Sequence, residues 1–153
     1  MELTSLPNLR RPTGNLLSTR LPAIGHGVNV DGLMGAGVAK AIRALYPQVF
    51  LPYSTACATK VLIPGSMLPV KVTEDRWIFN LASQDRPGPH ARLEWLQDSL
   101  DATFAFCEEE KISGFALPRI GAGIGGLEWD DVHEMIWTGA KNHPNVRVEV
   151  WSL

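Results

Sequence analysis

Residues 21–47 read LPAIGHGVNVDGLMGAGVAKAIRALYP. The run 21–28 is short and apolar, is closed by Gly25 and Gly27, and reads as a buried strand. Residues 35–46 read as a helix. Val38, Ile42 and Leu45 fall on one face at spacings of four and three, Lys40 and Arg43 lie on the other, and Pro47 ends it. Between strand and helix lies a glycine-rich loop, and that order sets the pattern for the rest of the chain.

Working outward, 47–60 reads as a second, less regular helix interrupted at Pro52. Residues 67–72 and 77–82 read as strands joined by the polar turn Thr73-Glu74-Asp75-Arg76. After a loop over 83–88, Pro89 suits the first turn of a long helix to about residue 111, with Leu93, Leu96, Leu100, Phe104 and Cys107 as its apolar stripe. A strand over 114–120 follows, then a helix over 128–140 with Trp129, Val132 and Ile136 inward, and a last strand over 146–151. Strands alternating with helices predict an α/β sandwich with a largely parallel central sheet. In such sheets ligands lie in the crevice at the carboxyl ends of the strands.

The 153 residues allow one domain with a core that folds without staples. Fourteen basic against sixteen acidic residues give a net charge of −2, which argues against a uniformly basic face for duplex DNA. Cys57 and Cys107 are far apart, which excludes a disulfide framework and a conventional zinc site and fits a reducing cytoplasm. The start MELTSLPNLRRPTG has no apolar targeting core, and no run approaches the roughly 18 apolar residues of a membrane span. The expectation is one cytoplasmic domain over 1–153, monomeric, with no membrane partner, no cofactor and no metal.

Three segments follow strands and invite chemistry: 25–37, Ser83-Gln84-Asp85-Arg86-Pro87-Gly88, and 119–126. The first and third hold nine of the fourteen glycines. Glycine lets backbone N–H groups approach a ligand, and a helix N-terminus beyond it favours an anion, so two such loops on one sheet edge suit a diphosphate. Either loop alone reads equally well as a tight turn. Gly121, Gly123 and Gly126 satisfy G-x-G-x-x-G, with Glu149 at a ribose-binding distance. They fall in the last βαβ unit, however, where no second mononucleotide half follows. His133-Glu134 starts like a zinc-peptidase motif, but the fifth position is Trp137. No G-x-S-x-G and no P-loop is present. His90 and His143 read as surface residues, and His26 as a satisfied structural histidine, with a ligand contact as its alternative.

The run 28–39, VNVDGLMGAGVA, resembles the first ligand loop of a macro domain, and 117–129, LPRIGAGIGGLEW, resembles the second. Both motifs, the intervening strand 78–83 and the final strand fall in family order over nearly the whole chain. The similarity is to the branch holding the terminal ADP-ribose protein glycohydrolase and the DarG-type DNA ADP-ribosyl glycohydrolases. It implies a three-layer α/β/α sandwich with a mixed, largely parallel sheet, and an ADP-ribose site. Met34, Gly35, Ala36, Gly37 and Val38 would face the distal ribose and diphosphate beside Ser83. Arg119, Ile120, Gly121, Ala122, Gly123, Ile124 and Gly125 would clasp the diphosphate from the other side. Asn15, in Gly14-Asn15-Leu16, stands where the family has an aspartate for adenine, and an amide still accepts from the adenine amino group. Leu16 and the terminal Trp151-Ser152-Leu153 would edge that pocket.

The departures bear on chemistry. Gln84 and Gly125 occupy positions where protein glycohydrolases of this branch have lysine and aspartate, and Ala39 stands where another branch has a catalytic aspartate. Glutamine forms no Schiff base, so a lysine-linked intermediate is excluded. What remains is an oxocarbenium-like state stabilised by the ligand's own phosphate, with Gln84 holding a water and Asn29 fixing ribose hydroxyls. Asp85 is the neighbouring candidate base and Asp31 a second, with Arg86 set to bind the leaving carboxylate or phosphate. Asp85 and Arg86 read equally well as a solvated pair in a turn. The expected activity is release of mono-ADP-ribose, with ADP-ribose as ligand and product and an ADP-ribosylated protein or single-stranded DNA as substrate. A non-catalytic ADP-ribose reader, an ADP-ribose 1″-phosphate phosphatase and a protein-docking module are the alternatives.

Overall fold

The computed structural model describes residues 3–153. Along it run β1 (Leu9–Arg10), β2 (Ala23–Val28), α1 (Gly37–Leu45), α2 (Phe50–Ala58), β3 (Met67–Thr73), β4 (Arg76–Ala82), α3 (Leu93–Glu110), β5 (Gly114–Leu117), α4 (Trp129–Asn142) and β6 (Arg147–Val150). The strands form one sheet of order β1-β6-β5-β2-β4-β3, and only β3 runs antiparallel to its neighbour. Side chains alternate between the faces with the period of a pleated strand. Ala23, Phe79, Leu81, Phe115 and Leu117 pack with Leu96, Leu100 and Phe104 of α3 and Val132 and Ile136 of α4. Ile24, Val28, Ile78 and Ala82 pack on the other face with Ile42 of α1 and Tyr53 and Ala56 of α2. The result is a three-layer α/β/α sandwich. Among the described residues no helix is long and apolar enough to cross a membrane.

Several boundaries differ from the sequence reading. Pro47–Val49 form a 3-10 turn that runs straight into α2 with no break at Pro52. Pro52 lies in the first turn of α2, where backbone N–H groups have no intrahelical acceptor, so its missing donor costs nothing. α3 starts at Leu93, not at 89. The intervening amides are used elsewhere: Ala91 N donates to Gly125 O (3.2 Å) and Arg92 N to Ser83 O (3.1 Å). β5 ends at Leu117, which leaves 118–128 to the second glycine loop. The two-residue β1 was not legible in the sequence. It pairs with β6 through Leu9↔Val148 and Arg10↔Glu149 only. In α1 only Ile42 of the expected face is buried, while Leu45 and Val38 are exposed.

Candidate functional site

β5, β2 and β4 are adjacent and parallel, so their carboxyl ends share one edge of the sheet. The three loops picked out in the sequence leave from that edge. Between them lies a cavity of about 510 Å³. A second, of about 890 Å³, continues towards residues 14–17 and 151–153. Val38, Pro118, Arg119 and Gly123 line both, so the cavities form one trough with a neck.

The neck suits an anion. α1 begins there with Ala36 as its cap residue, no side-chain cap and no acidic residue in its first turn. Its free N–H groups and the positive end of its dipole are therefore unclaimed. α3 and α4, in contrast, carry Glu94 and the Asp130–Asp131 pair in their first turns. A side chain added at Gly35 or Gly123 would meet nothing within 4 Å, so both glycines border open space. Gly37 takes a left-handed φ of 58°, and Ile124 of the opposite loop lies 3.0 Å from where its Cβ would be.

The first loop is tied together by Asn29. Its Oδ1 accepts from Asp31 N (3.0 Å) and Leu33 N (3.4 Å), and its Nδ2 donates to Leu33 O (2.9 Å). From below, the buried Tyr53 hydroxyl of α2 reaches Asn29 O (2.7 Å). Burial pushes the Tyr53 phenol above its usual range, so it stays protonated as a donor.

In the middle loop the Gln84 amide nitrogen donates to Arg86 O (2.7 Å) and Gly88 O (3.2 Å), and an antiparallel bridge joins Gln84 to Ala91. That spends both its N–H bonds on the loop and leaves Oε1 as its free group. The Oε1 lies 3.3 Å from a Cβ built on Gly125, and the same Cβ would be 2.8 Å from Gly121 O. The Gly125 position therefore has no room for an aspartate side chain in this loop conformation.

At the far end Asn15 caps a short 3-10 turn, its Oδ1 accepting from Leu17 N (2.9 Å). Trp151 stands beside Gly14, and its indole N–H donates to Glu149 Oε1 (2.9 Å), which also accepts from Thr19 Oγ1 (2.6 Å). Glu149 is thus occupied in holding Trp151 and Thr19, which removes the ribose-binding role weighed for it in a dinucleotide site.

The trough gathers most of the expected residues. Asn29, Gly35, Ala36, Gly37, Val38, Ser83, Gln84, Arg119, Ile120, Gly121, Gly123, Ile124 and Gly125 line the smaller cavity, and Asn15, Leu16, Ala122 and Leu153 line the larger. Met34, Asp85 and Arg86 line neither. Met34 is buried in the core beneath the loop, because an apolar side chain there gains more from packing than from facing a polar ligand. Asp85 and Arg86 sit in the turn outside the cavity, with Arg86 near His90 Nδ1 at 3.4 Å. Asp31 is exposed and also absent from the lining. Arg119 is then the only permanently charged side chain that lines the smaller cavity among the described residues. Its guanidinium rests over the Trp129 ring, 4.8 Å from the centroid. Tyr53, which supports the first loop from α2, and Trp129, which walls the larger cavity, carry no local sequence signal for those roles.

His26, on β2, also lines the smaller cavity. Asn80 Nδ2 donates to Leu68 O (3.0 Å), which leaves Asn80 Oδ1 to accept from His26 Nε2 (2.7 Å). That fixes the tautomer: Nε2 carries the proton and Nδ1 is a buried lone pair with no partner. Burial lowers the His26 pKa from 6.5 to about 4. Between those pH values the unfolded chain binds more protons than the folded one, so stability falls as pH drops from 6.5 towards 4. The total is about 3 kcal/mol for a shift of that size. Urea denaturation at pH 7 and pH 4.5 should show this loss, and a His26→Gln variant should lack that component. An equal pH dependence in both would mean that His26 is not what titrates.

The Macro domain family model matches residues 26–136. The DNA ADP-ribosyl glycohydrolase of Thermus aquaticus is 30% identical over 146 residues, covering 94% of this chain and 40% of that protein. The ADP-ribose glycohydrolase OARD1 of Homo sapiens is 27% identical over 114 residues, covering 74% of this chain and 71% of that protein. Among solved structures, the macrodomain of Mycobacterium tuberculosis DarG superposes with a TM-score of 0.88 at 26% identity, covering 95% of this chain and 97% of that one. The chain spans about 40% of the length of the Thermus aquaticus relative.

Proposed function

The chain belongs to the macro domain family, and from that premise we propose that it is an ADP-ribosyl hydrolase. It takes ADP-ribose along the trough and releases it from an acidic protein side chain or from thymidine in single-stranded DNA. The observation that carries this reading is the neck shared by two cavities, with an uncapped helix N-terminus on one side and Gly123 on the other. A diphosphate belongs there, the adenosine beyond it beside Asn15 and Trp151, and the distal ribose over Asn29 and Gln84. The names of the Thermus aquaticus and human relatives support the same activity.

The chemistry follows from what lines the cavity. Among the described residues, none of those lining the smaller cavity, where the distal ribose is placed, carries a carboxylate to act as base or nucleophile. The bond at the anomeric carbon of the distal ribose breaks with its electron pair leaving on the departing group, and the diphosphate offsets the positive charge of the oxocarbenium-like state. A water donating a hydrogen bond to Gln84 Oε1 then adds to that carbon, and its proton passes to a diphosphate oxygen or to solvent. Asp85, Arg86 and Asp31 do not line the smaller cavity, and this reading assigns them no step. With no acid in the cavity to protonate a departing ring nitrogen, a carboxylate, which leaves as a stable anion, is the easier group to expel. That favours the ester of an acidic side chain, whereas the Thermus aquaticus relative's name favours DNA. A reader without turnover is favoured by one further observation, the lack of room for an aspartate at Gly125.

The test is release of free ADP-ribose, at catalytic enzyme concentration, from two matched substrates. One is modified on glutamate and the other on thymidine in a single-stranded oligonucleotide. Turnover is expected on the glutamate substrate at least. Gln84→Ala should lower it about tenfold, the scale of losing one positioned group, with ADP-ribose affinity little changed. Binding without release from either substrate would make the protein a reader. Unchanged turnover in Gln84→Ala would remove Gln84 from the mechanism.

A further inference from the structure

The first loop owes its shape to a residue outside it, and this inference rests on the function proposed above. Tyr53 lies in α2, wholly buried, with its hydroxyl 2.7 Å from Asn29 O, 3.0 Å from Asn29 Oδ1 and 3.4 Å from Leu33 O. A phenol has one proton, and the shortest contact gives it to the carbonyl of Asn29, the first residue beyond the end of β2. Two backbone N–H groups, of Asp31 and Leu33, already point at Asn29 Oδ1. A flipped amide would set donors against donors, so the orientation of Asn29 is determined. One N–H of its Nδ2 goes to Leu33 O (2.9 Å), and the other has no acceptor among the described residues. Asn29 lines the cavity.

We propose that Tyr53 is a positioning residue for this site: by pinning the Asn29 carbonyl from beneath, it holds one side-chain N–H of Asn29 ready for a hydroxyl of the distal ribose. The ligand group recognised is a neutral hydroxyl oxygen acting as acceptor. The consequence is selectivity rather than bulk affinity. Tyr53 acts on the end of the ligand that ADP-ribose has and ADP lacks, and the neck that takes the diphosphate is built from α1 and the second loop.

The experiment compares ADP-ribose with ADP by calorimetric titration for wild type, Tyr53→Phe, Asn29→Ala and the double variant. Tyr53→Phe should weaken ADP-ribose about tenfold, the loss of one well-placed hydrogen bond, while ADP affinity stays within about twofold. In the Asn29→Ala background the hydroxyl has no side-chain amide left to position, so its removal should cost no further selectivity. Equal losses for both ligands, or additive losses in the double variant, would overturn the proposal by showing a merely structural role. If Tyr53→Phe does not fold, the wild type carries the test by NMR. The buried Tyr53 hydroxyl proton should be protected from exchange, and the free Asn29 side-chain N–H should shift with ADP-ribose and not with ADP. A freely exchanging Tyr53 hydroxyl, or equal shifts with both ligands, would overturn the proposal. Failure of the broader reading looks different: the wild type itself would then show no preference for ADP-ribose over ADP.

Discussion

Gly123→Glu is expected to abolish ADP-ribose binding while the melting temperature of the free protein stays within about 3 °C of wild type, the range of a surface change. The fold tolerates the new side chain because a Cβ at position 123 meets nothing within 4 Å and the residue is exposed, with no left-handed φ to strain. The ligand does not tolerate it. Gly123 walls the neck between the two cavities, so the carboxylate is added where the diphosphate belongs. At about 5 Å and an effective dielectric of about 20, each pair of like charges costs about 3 kcal/mol, and a diphosphate brings two charges. Filling the neck adds a steric loss to that repulsion. Affinity should drop by a factor of about 1,000 or more, beyond detection in a thermal-shift series with millimolar ADP-ribose. Wild-type affinity in this variant would mean that the diphosphate lies elsewhere and that the second loop has another use.

The strand, glycine loop and helix of residues 21–47 were legible because their signals are local. An apolar run ends in glycines, an amphipathic run follows, and proline stops it. The same local signals marked the three loops at the sheet edge. What the sequence left hidden depends on contacts between distant segments. Tyr53 reads as one more helix residue, and only the folded chain brings its hydroxyl to Asn29, 24 positions away. Met34 stands among ligand-loop glycines, and nothing local separates an apolar side chain that faces a ligand from one buried beneath the loop. Asp85 and Arg86 adjoin Gln84 in sequence, yet a turn sends neighbouring side chains in different directions, and only Gln84 of the three lines the cavity. The β1 pairing covers two residues, too few for any period to show.

The contrast between two kinds of glycine yields the other large effect. Gly114→Ala should destabilise the protein by about 3 kcal/mol or more and lower the melting temperature by about 10 °C, the scale for overpacking in a chain of this size. Gly114 opens β5 and pairs in register with Arg147 of β6. A Cβ there would collide with Arg147 O and lie 2.7 Å from Arg147 Cβ. The obstacle is backbone, so no rotamer change relieves it, and the two strands must part. The next pair, Phe115↔Val148, is wholly buried in the core shared with α3 and α4, so the separation is felt there at once. Yet Gly114 is at the amino end of β5 and the trough is at the carboxyl end. In the folded fraction, well below the melting temperature, ADP-ribose affinity should therefore stay near wild type. Chemical denaturation beside calorimetric titration separates the outcomes. Unchanged stability would show that the strands part at little cost, and lost affinity in well-folded protein would show that strain at one end of β5 reaches the glycine loop at the other.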